Sequence, residues 1–182
     1  MSEHQNSREN ITASVDSGVI SSFQFLNYKV DSFSFDNKKK EVGEILHYFT
    51  GDENWSASIG IRQPTLYKKS LSFIGGMQLT LLQHDKDMQD EKNKTEDNAI
   101  MVLKCTIIGL FKILDSSDFE KNKRVYEDLG RYQIPAILSP YLRATVTSYF
   151  GNAGYGGFVF PLINFTKLAY EQKVELEVIE NK

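Results

Sequence analysis

At 182 residues, 41% hydrophobic and 25% charged, the chain has the composition of a folded protein, with room for one domain and a real core. A net charge of −3 argues against a partner held by neutralising phosphates, so nucleic acid is not expected. The single cysteine, Cys105, excludes an internal disulfide and a cysteine-rich zinc site.

Residues 1–20 are polar and offer little to bury, which predicts a mobile tail. They hold no apolar core flanked by basic residues, and no run in the chain is long enough to cross a bilayer. A cytoplasmic location without membrane insertion is the expectation. Phe23 to Phe35 reads as an aromatic strand whose alternation slips twice, after Phe25 and after Val30. Each slip would turn the apolar set to the other face unless a bulge absorbs it, so a bent strand is predicted. Lys38, Lys39 and Lys40 read as a solvated turn. Residues 41–54 form a connection with apolar content.

Trp55, Ala57, Ile59 and Ile61 alternate as a second strand, which Pro64 is expected to end. A third strand places Leu71, Phe73, Met77, Leu79 and Leu81 on one face, with a bend or bulge expected at Gly75-Gly76. Residues 83–98 are charged and mixed in sign, the pattern of an exposed hairpin connection. The fourth strand carries Met101, Leu103, Cys105, Ile107, Phe111 and Ile113 on one face and a mixed set on the other. One apolar face and one mixed face fit an antiparallel sheet covered by helices on one side. Met77, Ile100, Val102 and Leu110 are apolar surface left over for a second subunit.

Asp115 to Arg131 reads as a polar crossover with a helical turn over Phe119 to Tyr126. Then Ile134, Ile137, Leu138, Tyr141, Leu142, Thr145, Val146 and Tyr149 recur at steps of three and four, one face of a long helix. Pro135 suits its opening turn, and Pro140 is expected to kink or restart it. The glycine loop Gly151 to Gly157 ends it, and Asn164 can cap a last helix beginning at Phe165. Strands first and helices last predict an α+β domain over residues 21–176. It is a four-stranded antiparallel sheet followed by a long helix and a C-terminal helix packed on one face. Residues 177–182 are expected as a C-terminal tail.

Pro140-Tyr141-Leu142-Arg143, the glycine loop, and Val159-Phe160-Pro161-Leu162-Ile163-Asn164-Phe165-Thr166-Lys167-Leu168 together resemble the C-terminal half of the SecB protein-export chaperones. That family opens its long helix with Pro-Tyr-x-Arg and enters its last helix through an apolar-Pro-x-x-Asn-Phe-x-x-Leu stretch. The similarity extends, more weakly, over roughly residues 23–175. It implies a homotetramer, a dimer of dimers with sheets paired edge to edge and long helices between the layers. Tyr141, Leu142 and Tyr149 are the helix positions expected at that interface. It also implies docking to the translocation motor SecA through acids on the sheet. Asp36 fits one such position in this chain and Ser32 falls near the other, with Asp31 next to it. Lys104 stands where a further acid is expected, and a lysine there would repel a basic partner.

Catalytic constellations are absent from the sequence. His4, His47 and His84 have no paired metal spacing, and none lies beside a nucleophile in a recognisable motif. Gly151 to Gly157 follows a helix instead of opening one, which is wrong for a phosphate cradle. No enzyme, no metal and no cofactor are expected. Aromatic residues are plentiful, with 9 Tyr, 12 Phe and 1 Trp, and many fall in connections. Grouped rings suit extended, unfolded chains, because they give large contact area with little loss of side-chain entropy. The resemblance places Tyr48, Phe49 and Trp55 at the client groove, and position along the chain adds Phe158 and Phe160. The expected activity is ATP-independent holding of unfolded or precursor polypeptides for export. The alternatives are a SecB-like chaperone dedicated to an antitoxin or other single partner, and a small-ligand-binding α+β module.

Overall fold

The computed structural model describes residues 22–38, 54–84, 94–114, 119–154, 160 and 162–180. Its strands are β1 (Phe23–Asn37), β2 (Asn54–Tyr67), β3 (Ser72–His84), β4 (Met101–Ile113) and β5 (Glu177–Ile179). They form one sheet in the order β1-β4-β3-β2-β5. β2, β3 and β4 make an antiparallel meander and β1 returns beside β4, the strand order of a Greek key. The helices are α1 (Phe119–Asp128), α2 (Ile134–Asn152) and α3 (Phe165–Glu171). The class is α+β, a mostly antiparallel sheet with a long helix and a short C-terminal helix.

β1 bends as its broken alternation predicts. Its pairing with β4 shifts between Phe25 and Asn27 and again between Val30 and Ser32. Each shift inserts one residue. Phe23, Phe25, Tyr28, Val30, Phe33 and Phe35 therefore all lie opposite the buried β4 row that runs from Ile113 to Leu103. Opposed residues share a face, so a strand without bulges would have sent part of this set to the other side.

Two expectations about strand breakers are corrected. β3 has no bulge at Gly75 and Gly76, which stay in unbroken register with β4. Gly75 faces Gly109 across that ladder. A Cβ on Gly75 would lie 2.7 Å from Ile134 Cγ2, and one on Gly109 would lie 2.7 Å from Leu138 Cδ2. The glycines make a low floor on which the first turns of α2 rest. The irregularity falls instead on β2, between Arg62 and Thr65, where Pro64 sits. Pro64 does not end the strand, because a bulge accommodates its missing N–H and β2 continues to Tyr67.

The crossover is more helical than its sequence suggests. α1 leads through a π turn, Leu129–Gln133, directly into α2. The Ile134 N–H bonds to Leu129 O, one residue further back than in an α-helix. Pro135 follows at once; it has no N–H and its ring crowds the preceding carbonyl, which favours a widened turn at this place. Pro140 does not restart the helix; it lies within the continuous span of α2 with its ring exposed.

α2 presses Ile134, Leu138, Leu142, Val146 and Phe150 onto Phe73, Met77, Leu79, Leu103, Ile107 and Phe111, all at most 2% exposed. Each such side chain contributes about 1.5–3 kcal/mol relative to exposure. Met77 is buried under α2, Val102 is buried on the other face of the sheet, and of the leftover apolar set only Leu110 is exposed. Within the expected tail over 177–182, residues 177–179 are instead a strand. Glu177–Ile179 pairs in parallel with Thr65–Tyr67 of β2 and forms the fifth strand. Flanking bonds secure it: Thr65 Oγ1 donates to Glu177 Oε2 at 2.9 Å, and Lys68 Nζ donates to Glu180 Oε1 at 3.0 Å.

Candidate functional site

α3 begins at Asn164 because its side chain accepts a hydrogen bond from the Lys167 N–H at 3.0 Å, the cap its sequence predicts. That cap fixes the helix beside the outer side of β2. Between them lies a shallow, open depression of about 290 Å³. Ala57 and Ile59 form one side, Leu162, Ile163 and Leu168 the other, with Lys167 and Glu171 at the rim. Leu162 is 92% exposed, a large apolar side chain offered to solvent at the mouth. Ala57 and Ile59 share the alternation of Trp55, and Leu162-Ile163 continue the apolar run from Phe158. Sequence reasoning named the flanking rings and passed over these aliphatic residues, although the same periodicity reaches them.

Tyr48, Phe49 and Phe158 lie outside the described residues. Trp55 opens β2, half-buried, its ring edge-on to Phe150 at 5.8 Å. Phe160 is buried, with the Arg143 guanidinium carbon 5.5 Å from its ring centroid. Both rings are therefore anchored on the C-terminal half of α2. Phe160 faces inward, supporting the connection that carries Leu162 and Ile163.

The expected interface positions separate. Leu142 is fully buried in the subunit core. Tyr141 and Tyr149 are half-buried and rest on the ring row of β1. Tyr141 lies 4.4 Å from Tyr28 and 5.2 Å from Phe25, and Tyr149 lies 4.6 Å from Phe33 and 5.2 Å from Phe35. Leu26, Tyr28 and Val30 remain exposed along this edge.

On the face of the sheet away from the helices, the candidate docking acids are not equivalent. Asp31 occupies the second β1 bulge and is paired with Arg62 Nη1 at 3.3 Å and Lys29 Nζ at 3.4 Å. Asp36 is exposed, opposite Val102. Lys104 is held by Glu96 Oε1 at 2.7 Å, and the Glu96 carbonyl also accepts from Lys38 Nζ.

Two potentially reactive groups among the described residues are buried. Cys105 is buried in the sheet, and burial pushes its thiol up to about 11, which keeps it protonated and poorly nucleophilic. His84 is 1% exposed with Nε2 3.0 Å from the Thr95 carbonyl. Among the described residues no group of His, Cys, Asp and Glu is arranged to hold a metal, and no helix is long and apolar enough to cross a membrane.

A Greek-key sheet covered on one face by a long helix, with an open apolar groove at its side, defines the class of fold. The sequence matches no protein-family model and no curated protein. The structure is similar to the SecB-like chaperone Rv1957 of Mycobacterium tuberculosis, solved in complex with a ChAD peptide from the Rv1956 HigA1 antitoxin. The TM-score is 0.54 at 9% identity, over 78% of this chain and 91% of that one. The chain has the SecB-like fold, as Pro140 to Arg143 and Val159 to Leu168 imply.

Proposed function

We propose that this protein is an ATP-independent chaperone that holds non-native polypeptide in the groove between β2 and α3. The observation that carries the reading is the aliphatic wall of exposed Leu162 and Ala57 with half-buried Ile59, beside the outward backbone groups of β2. Such a surface takes extended chains of many sequences, because it selects apolar area rather than one ligand shape. The peptide in the complex of the SecB-like Rv1957 supports a polypeptide ligand for this fold. The depression of about 290 Å³ is shallow and open, which suits an extended chain better than an enclosed small ligand.

The protein acts in the cytoplasm as a homotetramer, its Tyr141 and Tyr149 side facing assembly and its groove facing clients. The finer role has two forms, export through SecA or service to one partner such as an antitoxin. The ion pairs on the open sheet face favour the second. Asp31 is neutralised by Arg62 and Lys29, and Glu96 by Lys104, so a basic docking partner meets fewer unpaired acids. The test is suppression of aggregation. At stoichiometric concentration the protein should keep a chemically denatured model client soluble without nucleotide, and failure to do so sinks the reading. Binding to SecA, measured alongside binding to an antitoxin C-terminal peptide, separates the two forms.

A further inference from the structure

α3 ends beside β2, and its last turn places Gln172 against the strand's outer edge. The Gln172 Oε1 accepts the Ile61 N–H at 2.8 Å, and its Nε2 donates to the Ile59 carbonyl at 2.7 Å. One side-chain amide thus makes the bonds that a residue of a neighbouring strand would make. In an antiparallel ladder every second residue turns both backbone groups outward. Ile59 and Ile61 do so, and the alternation puts Ala57 in the same set. Among the described residues no bond reaches the Ala57 N–H and carbonyl or the Ile59 N–H. Further along the same edge, Thr65 to Tyr67 are paired by β5.

We propose that Gln172 is a specificity-determining residue of the groove: it plays the part of a strand residue on β2 and ends the stretch on which an extended polypeptide can add. This rests on the client-holding reading above. The occupant is an extended segment with apolar residues at every second position. It adds its main chain at Ala57 and lays those side chains toward Leu162, Ile163 and Leu168. Main-chain pairing tolerates many sequences, since every client has the same backbone. The Gln172 amide limits how many residues of a client are ordered, because it already occupies the Ile59 carbonyl and the Ile61 N–H.

The test uses fluorescent peptides of alternating valine and threonine, short and long, each also N-methylated at single amides. Bound to the full-length protein, the peptide should lose affinity when the amide opposite Ala57 is methylated. Gln172→Ala should bind the long peptide about tenfold more tightly than the parent does, about 1.4 kcal/mol, through the hydrogen bonds newly open to the client. A second methylation site should become sensitive, while affinity for the short peptide stays near that of the parent. Amide exchange at Ile61 should quicken in Gln172→Ala without peptide, reporting loss of the capping bond. Equal affinities in parent and variant, with the parent still holding clients, would overturn the role of Gln172 and leave the chaperone reading standing. An Ile61 amide as fast in the parent as in the variant would overturn it too. A parent that binds neither peptide nor denatured client defeats both.

Discussion

The sheet has two edges, and they are finished in opposite ways. β1 is a 15-residue strand whose outer side pairs with no strand among the described residues. It carries exposed Leu26, Tyr28 and Val30, and its rings lean on Tyr141 and Tyr149. β2 is closed by the chain's own C-terminal part, Gln172 at Ile59 and Ile61 and then β5 at Thr65–Tyr67. An open edge is a template for any passing strand, and proteins blunt such edges with bulges, charges or cover. β1 has two bulges but keeps its apolar row, the pattern of an edge meant for a fixed partner. β2 has been trimmed to a short accessible stretch, the pattern of an edge meant for brief, limited pairing. On the proposed reading, assembly belongs to the first edge and clients to the second.

The largest expected effect lies between the edges, where α2 supports both. Leu142→Ala should destabilise the protein by about 2–5 kcal/mol, since a fully buried leucine leaves a cavity under the helix. Urea unfolding measures it. A loss that vanishes on dilution below the assembly threshold would place Leu142 at a subunit contact instead of in the core.

Tyr141→Asp attacks the β1 side directly. A charge set between Phe25 and Tyr28 should lower the solution mass by light scattering and leave each subunit folded by circular dichroism. An unchanged mass would remove this edge from assembly. Trp55→Ala is the matched change near β2. It should weaken client binding at constant mass, and a competition assay with unchanged affinity would take the Trp55 ring out of the groove.

These pairs also mark what was legible in the sequence. The two slips of β1 were readable because alternation is local, and each slip sits within one residue of a bulge. The cap at Asn164 was readable for the same reason. Gly75-Gly76 and Pro64 were misread because their meaning depends on a distant helix. Gly75 is small for Ile134, not for a bend, and Pro64 packs where Gly130 lets the π turn approach. β5 was missed because Glu177–Ile179 is too short and too charged at its flanks to show a period, and its partner lies more than a hundred residues away. The groove was half legible. Its rings were named by position, while Ala57, Ile59 and Leu162 gain their role only when α3 is laid beside β2.

Asn164→Ala sharpens the β2 side. It removes the cap of a seven-residue helix and should cost about 1 kcal/mol. Because α3 carries Leu168 and Gln172, the groove wall should loosen more than the core does. Hydrogen exchange should therefore quicken at Ile61, whose N–H bonds to Gln172, while amides in the β3–β4 ladder hold their rates. Uniform change across the sheet would mean that α3 is not a separate local unit.

The smallest effect is expected at the end of the same edge. Lys68 meets Glu180 with side chains 30% and 66% exposed, so their attraction is screened and worth roughly 0–1 kcal/mol. Glu180→Gln should leave global unfolding within error. It should nonetheless quicken exchange of the Lys68 N–H, which bonds to the Ile179 carbonyl at 3.0 Å and holds β5 in register. Raising the salt concentration should have the same effect on the parent and a smaller one on the variant, which lacks the Lys68–Glu180 attraction. If the Lys68 amide exchanges at one rate in both proteins at every salt concentration, β5 is held by its backbone pairing and by Val178 and Ile179 alone. The β2 edge would then be closed by the same means as any interior strand, and its difference from β1 would rest on Gln172.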